Sequence, residues 1–329
     1  MQQTKNKYPV WVEISKSALL NNIRELKKNA EINIGKKLLF CGVIKSNAYG
    51  HGMLETAQII DSESDWFGVN AFWEAKILCD KLAITKPIIV LGYTPLDDLD
   101  DIKKYPNIRL IVYNLETLNK LAEIATAAKI EIKTHLKVET GTGRQGILFS
   151  DIQKYVDFYK KNKLVILEGI STHYANIEDT TDHSYYKYQL SEYKKFVEVL
   201  TDAGFELPIK HTACTAACIL FSDTYFTMIR PGIGLYGYWS SKETHLSCLL
   251  QGRTALKLKP ALTFKTRIAQ IKEFPANYYI GYGCTYKTTH RTKVAILPVG
   301  YFDGYDRELS NRAFVIINNM RAPVIGRVC

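Results

Sequence analysis

The chain has 329 residues, 47% hydrophobic and 23% charged, which suits a globular protein of one large domain or two. Its formal charge of +10 comes from basic residues scattered among acids, as in ELKKNA, DIKKYP and YKKNK. With no basic arm, finger spacing or aromatic-interleaved basic stripe, nucleic acid is set aside as a partner, while anionic small ligands stay open.

In chain order, the opening MQQTKNKYPVWVEI lacks the apolar core of a signal peptide. Residues 1–12 are read as an N-terminal strand packing on a C-terminal β domain. From about Lys37 to Tyr236, eight short β-branched runs follow: KLLFCGVIK, DWFGVN, KPIIVLG, IRLIVYN, EIKTHLKV, VILEGIST, LPIKHTA and YFTMIRPG. Between them lie stretches with apolar residues at helical spacing, such as LETLNKLAEIATAAK and YYKYQLSEYKKFVEVLTDAG. Eight strands alternating with helices in about 200 residues predict a (β/α)8 TIM-type barrel over residues 13–240. The alternative, a doubly wound sheet, wants G-x-G-x-x-G after its first strand, and KSNAYGHG stands there instead. Beyond Tyr236, YWSSKETHLSCLLQGRTALKLKP reads as an irregular connection. LTFKTRIAQIKEF, TKVAILPVGY, AFVIINN and APVIGRVC then alternate as strands without helices, so residues 241–329 are read as a mostly-β domain. The last run is still strand-like at Cys329, which gives the expectation that this domain is incomplete and the protein truncated at its C-terminal end. Seven cysteines form no C-x-x-C pair, and CTAAC is spaced for one helix face, where packing explains it better than metal. No metal is expected. No run approaches membrane-spanning length, so the expectation is a reduced, cytoplasmic protein without a membrane partner.

In a barrel, reactive groups gather at the C-terminal ends of the strands. Lys45 closes the first strand. Either it snorkels, stem buried and ammonium in water, or its amine is held partly desolvated to form a Schiff base. KVETGTGRQG follows the fifth strand and carries Arg144 in a glycine-rich turn. His173 closes the sixth. Thr215 follows the seventh at a helix start, where capping is its plainest role. RPGIGLYG follows the eighth, with Arg230 and exposed backbone at Gly232 and Ile233. Singly, Arg144 suits an ordinary ion pair and His173 a satisfied core histidine. Together the set outlines a pocket with a reactive lysine, a phosphate cradle and two arginines, a combination suited to pyridoxal phosphate.

The stretches VIKSNAYGHG, LKVETGTGRQG, RPGIGLYG, GYGCTY and LPVGYFDGY stand in the order found in alanine racemases, and the chain resembles that family from WVEISKSALLNNI to VIGRVC. The resemblance implies a fold-type-III enzyme using pyridoxal 5′-phosphate, with a barrel, a C-terminal β domain and a head-to-tail homodimer. It further implies interconversion of L- and D-alanine by two bases, in support of wall peptide synthesis. Lys45 matches the lysine that carries the cofactor and serves as one base, and Tyr282 matches the other base, donated by the neighbouring subunit. Tyr49, Thr215, Gly232 and Ile233 match the phosphate cradle. Arg144 matches the arginine touching the cofactor phenolate oxygen and the substrate carboxylate, Arg230 the partner of the pyridine nitrogen, and His173 the residue orienting the tyrosine. Tyr301 matches an aromatic at the entrance, and Lys137 a lysine that some members carry as a carbamate.

The chemistry accounts for these residue types, because racemisation needs a base on each face of Cα. An amine and a phenol serve only when desolvation or nearby positive charge lowers their pKa values. Arg230 can only donate, so it leaves the pyridine nitrogen unprotonated and favours reprotonation at Cα over transamination. Two departures stand out. Cys214 replaces the asparagine of the family's histidine–asparagine–serine run, and the family's Cys-Met-Asp motif begins at Cys329, where the sequence stops. Rival readings are a serine or broad-specificity racemase of the same fold, and a non-catalytic pyridoxal phosphate carrier. The β domain with Tyr282 and Tyr301 argues against the carrier.

Overall fold

The computed structural model of the protein describes residues 7–35, 37–252 and 256–329. Residues 1–6 of the expected N-terminal strand and residues 253–255 of the expected connection lie outside them. The protein forms two compact units, residues 15–261 and residues 1–14 with 262–329. The division falls after Ile14 and Ala261 rather than near residues 12 and 240, for two local reasons. Strand β1 (Val10–Ile14) stays in its ladder through Ile14. A helix, not an irregular connection, occupies Lys242–Leu250 and belongs to the larger unit.

The larger unit opens with α1 (Lys16–Ile34), started by the Ser15 hydroxyl, which accepts from the Ala18 N–H, and stopped by Gly35 at φ 65°. Then come β2 (Leu39–Val43), a left-handed turn labelled α2 (Lys45–Tyr49), α3 (Met53–Ile60), β3 (Trp66–Val69) and α4 (Phe72–Leu82). The alternation continues through β4 (Ile88–Val90), β5 (Ile108–Val112), α5 (Leu115–Ala128), β6 (Ile132–Lys137) and α6 (Ile152–Lys161). It ends with β7 (Val165–Ser171), α7 (Ser184–Asp202), β8 (Ile209–His211), α8 (Thr215–Leu220), β9 (Met228–Ile229) and α9 (Lys242–Leu250). Strands β3, β4 and β5 are buried at every residue, as parallel strands covered on both faces must be.

All eight strands pair in parallel in the order β8-β7-β6-β5-β4-β3-β2-β9. Thr227 N–H to Lys210 O (3.1 Å) and Arg230 N–H to Ala213 O (2.9 Å) bring β9 to β8 and close the ring. This is the expected (β/α)8 barrel. Its interior holds an apolar cluster of Cys41, Val43, Trp66, Ile89, Ile111, Ile209 and Met228, contributed by six of the eight strands. The other two, β6 and β7, send polar groups inward.

The smaller unit is β-structured, as expected, and built from antiparallel pairs. β1 pairs with β10 (Leu262–Thr266) and β11 (Gln270–Phe274) with β14 (Thr292–Ile296). β12 (Tyr279–Ile280) pairs with β13 (Tyr286–Lys287) and β15 (Phe314–Ile317) with β16 (Met320–Pro323). Asn318 and Asn319, both at positive φ, form the two-residue loop of the last hairpin, which sets its register at Ile317 opposite Met320. That register makes β16 end at Pro323, so the run APVIGRVC is strand only at its start.

Candidate active site

The first barrel strand leaves the core through an uncommon turn. Ser46, Asn47, Ala48 and Tyr49 all lie near φ 54°, a left-handed conformation costing about 1–2 kcal/mol per non-glycine residue. Hydrogen bonds hold it. Buried Glu74, at the start of α4, accepts from the backbone N–H of Ser46 (2.6 Å), Asn70 (2.7 Å) and Ala71 (3.1 Å). The Asn47 side chain accepts from Met53 N–H at 2.9 Å. His51 lies within 3.1 and 3.2 Å of the carbonyls of Ala48 and Tyr49 through Nδ1, and its ring rests 4.4 Å from that of Tyr236. The turn places Lys45 and Tyr49, four residues apart, on the wall of one cavity of about 580 Å³ at the C-terminal end of the barrel.

The other strand ends supply the rest of the wall. β6 contributes Lys137, and the loop beyond it Arg144. That loop is shaped by Glu139, whose carboxylate accepts from the N–H of Gly141 (2.5 Å), Thr142 (2.6 Å) and Arg144 (3.1 Å). Burial alone would raise the Glu139 pKa, but these backbone donors outweigh it and lower the value. β7 leads to His173, β8 to Cys214 and Thr215, and β9 to Arg230, Gly232 and Ile233. Thr215 does start α8, yet its hydroxyl does not cap that helix. It accepts instead from the N–H of Gly232 and Gly234, both at 3.1 Å, and ties the seventh strand end to the eighth. A Cβ at Gly232 would run into the Tyr49 hydroxyl, so glycine lets the backbone approach without moving that side chain. The nine barrel residues singled out from the sequence therefore line a single cavity. Tyr282 (71% exposed) and Tyr301 (61% exposed) belong to the smaller unit, each in a short 3-10 turn.

The electrostatics of the cavity are cationic. Desolvation, then Arg144 and Arg230, lower the pKa of Lys45, with Glu74 opposing. Burial followed by the same two arginines holds Lys137 well below its ordinary value. Burial, Lys137, Arg230, Arg144 and Lys45 push His173 well down as well. Burial also lowers the pKa of the Arg230 guanidinium, from a starting point high enough that it stays a cation. Such a pocket favours neutral amines and imidazoles and attracts anionic groups. A lowered pKa makes the Lys45 amine more available as a nucleophile, and the second of its two sequence readings is the one this burial favours.

Several site residues carry no signal in the sequence. Glu74 looks like an ordinary acid in the first turn of a helix. Asn70, Leu91, Tyr93 and Gln145 line the cavity because their strand or loop ends there, and Gln145 Nε2 donates to the Tyr113 hydroxyl at 3.1 Å. His211 supports Arg230, whose Nη1 lies 2.5 Å from His211 Nδ1.

Comparison with known proteins gives the family. Residues 14–240 match the model of the alanine racemase N-terminal domain, and residues 261–329 that of the alanine racemase C-terminal domain. The alanine racemase of Methanococcus maripaludis is 37% identical over 327 residues, covering 98% of this chain and 83% of its own length. The alanine racemase structure from Clostridium difficile 630 superposes with a TM-score of 0.88 at 33% identity, covering 99% of this chain and 82% of that one. A Bartonella henselae alanine racemase with covalently bound pyridoxal phosphate shares the fold, with a TM-score of 0.81 at 24% identity over 98% of this chain and 84% of that one. Matched along both its units, with its barrel strand ends converging as described, the chain belongs to the alanine racemase family.

Proposed function

We propose that the barrel cavity holds pyridoxal 5′-phosphate, and that Lys45 and Tyr282 are the two bases that exchange the α-proton of alanine on opposite faces. Interconversion of L- and D-alanine is the activity that family membership gives the protein. The observation that carries the finer reading is a half-buried lysine amine sharing one cavity with two arginines and a backbone-and-hydroxyl cradle.

The donor set fits the cofactor. The hydroxyls of Tyr49 and Thr215 and the N–H of Ile233 suit a phosphate, and the Gly232 backbone completes the cradle by donating its N–H to the Thr215 hydroxyl. Ile233 opens the 3-10 turn Ile233–Tyr236, whose first N–H groups have no acceptor within it. Lys45 would carry the cofactor through Nζ. When bound, pyridoxal phosphate supplies a conjugated ring that takes up the electron pair left by the α-proton. Arg230, which can only donate, would hold the ring nitrogen through an N–H and leave it without a proton. Arg144 would hold the substrate carboxylate and the cofactor's phenolate oxygen. Lys45 Nζ takes or returns the proton on the face that serves D-alanine, and the Tyr282 hydroxyl of a neighbouring subunit does so on the face that serves L-alanine. His173 orients that phenol, and Tyr301 stands at the entrance. The functional unit is thus a homodimer acting on a free amino acid. Lys137 is a candidate for carbamylation, since a neutral amine adds carbon dioxide and the resulting anion would lie beside Arg144 and Arg230. D-alanine made in this way feeds wall peptide synthesis.

Borohydride reduction of the cofactor-loaded protein, followed by peptide mapping, tests the assignment. The pyridoxyl group is expected in the peptide containing Lys45 and nowhere in a Lys45→Ala protein. Label on another lysine would sink it.

A further inference from the structure

The interior of a (β/α)8 barrel is ordinarily filled by branched aliphatic side chains. Six strands of this barrel contribute apolar side chains to one cluster, while His135 of β6, Glu168 of β7 and His211 of β8 form a polar column beside it. Lys133, His135 and Lys137 alternate along β6. Lys137 reaches the cavity, His135 is fully buried, and Lys133 meets Glu168 of β7 at 3.2 Å with its side chain partly exposed. Glu168 also accepts from Arg109 Nε at 2.9 Å and lies 3.2 Å from His135 Nε2. His135 Nδ1 is 2.8 Å from His211 Nε2, and His211 Nδ1 is 2.5 Å from Arg230 Nη1.

The two ends of this column fix every proton in it. Arg230 has no acceptor, so His211 Nδ1 must accept and His211 Nε2 must carry the proton. His135 Nδ1 therefore accepts, and His135 Nε2–H donates to the Glu168 carboxylate, which can only accept. Both imidazoles are neutral in this arrangement. Burial, with Arg230 and His135, holds His211 well below its ordinary pKa, and burial lowers His135 despite Glu168. At the upper end, Arg230 Nη1 also donates to His211 O (2.8 Å), and Nη2 to Thr172 O (3.1 Å) and Thr212 O (3.3 Å). Both Nη groups are engaged, which leaves Nε–H as the donor for the cavity. With the opposite His211 tautomer, two N–H groups would meet head to head in a buried space, and the guanidinium would have to move.

We propose that Glu168 and His135 are positioning residues for Arg230, fixing the His211 tautomer so that the guanidinium keeps its Nε–H turned to the ring nitrogen of the cofactor. The inference rests on the pyridoxal phosphate reading of the site. A column that served only stability would be hard to explain, because a well-packed apolar filling costs no desolvation.

The test uses the full-length protein. With 15N-histidine, the protein without cofactor should show both imidazoles protonated at Nε2 and not at Nδ1. His135→Leu removes the acceptor for His211 Nε2–H, whereas His135→Gln offers a carbonyl in its place. His135→Leu should weaken pyridoxal phosphate binding by roughly ten- to a hundredfold, the usual loss for partners that orient a binding group. It should also move the 15N resonance of the ring nitrogen in labelled cofactor. His135→Gln should restore most of both, and a purely structural role would not move the ring-nitrogen signal. If His135→Leu does not fold, Glu168→Gln, which keeps the side-chain shape, is read in the same way. The proposal is overturned by imidazoles of the opposite tautomer or charged, or by folded His135→Leu or Glu168→Gln protein with unaltered ring-nitrogen resonance and affinity. A protein that takes up no cofactor overturns the site reading and this inference together, and tautomers as assigned in that protein would mark the column as structural.

Discussion

The two proposed bases stand in opposite surroundings, and so do the units that carry them. Lys45 lies in the barrel unit, half-buried, with its amine turned toward neutrality by desolvation and by Arg144 and Arg230. Tyr282 lies in the β unit with 71% of its surface exposed. The barrel unit turns chemistry inward, with strands buried on both faces and polar ends converging on a cationic cavity. The β unit is assembled from short antiparallel pairs. Its own cavity of about 440 Å³ is lined mainly by aliphatic side chains such as Val294, Ile296, Val315 and Ile317. A phenol needs lowered basicity to take up a proton and return it, and only cationic or desolvating neighbours supply that. The barrel cavity supplies such neighbours in Lys45, Arg144 and Arg230. The proposed pairing of Tyr282 with the cavity of a second subunit would bring the phenol into those surroundings.

The largest expected effect breaks that pairing. Tyr282→Phe should lower racemisation by on the order of 10²-fold or more, the contribution of a general base, while cofactor loading on Lys45 persists. Exchange of the D-alanine α-hydrogen with solvent through Lys45 should survive in part. Tyr282→Phe and Lys45→Ala proteins refolded together should recover about a quarter of the wild-type rate per subunit, because about half the dimers are hybrid and each has one intact site. No recovery in the mixture would refute donation between subunits, and near-normal racemisation by Tyr282→Phe alone would refute the base.

The difference between the units also decided what could be read in the sequence. All eight barrel strands were visible, since strands such as IIV in β4 and IRLIV in β5 are buried on both faces and stand out between helical patterns. Lys45, Arg144, His173, Thr215, Arg230, Gly232 and Ile233 were legible because their place after predicted strands puts them at one end of the barrel, whereas Tyr49 and Lys137 came from the family resemblance. Helix α9 was not, because its apolar residues form no single face: Cys248 is buried while Leu246, Leu249 and Leu250 are exposed. Its capping serine, Ser241, was the one available signal. Glu74, Glu168 and His135 were illegible for another reason. Each is a polar residue in an ordinary helical or alternating pattern, and its importance arises only from groups far away in sequence. The left-handed run after Lys45 had Asn47 as its single hint, since serine, alanine and tyrosine seldom adopt that conformation.

A smaller effect is expected at the turn that aims Lys45. Glu74→Ala leaves the N–H groups of Ser46, Asn70 and Ala71 without their acceptor. An unmet buried donor costs about 1–3 kcal/mol, so a stability loss of about 3 kcal/mol overall is expected after partial relaxation. Cofactor affinity should fall with it, because Ser46–Tyr49 can relax out of the left-handed region and carry Lys45 and Tyr49 apart. Glu74→Gln, which keeps one acceptor oxygen, should lie between Glu74→Ala and the wild type. Denaturant unfolding and cofactor titration of the three proteins would show it, and a Glu74→Ala protein with wild-type stability and affinity would remove Glu74 from the account.

The smallest effect separates the units by pH. Burial alone would raise the Glu168 pKa, but the hydrogen bonds from His135 and Arg109 and the Arg109 charge bring it down from 4.5 to about 2. The folded protein therefore binds fewer protons at this site than the unfolded state across that interval. Its contribution to stability is present above about 4.5 and is lost as the pH falls toward about 2. Neutral His135 and His211 add a similar loss that begins nearer 6.5 in both the wild type and Glu168→Gln. The gap in stability between those two proteins should accordingly be widest above pH 4.5 and narrow toward pH 2. Among the described residues the β unit contains no α-helix, so helical circular dichroism during denaturant unfolding follows the barrel alone. The narrowing should appear in that signal and not in the fluorescence of Trp11, which reports the β unit in a protein whose other tryptophans are replaced by phenylalanine. A gap of constant size across the interval would mean that Glu168 is not the charged lower anchor of the column, and the barrel would then owe its polar interior to something other than the relay toward Arg230.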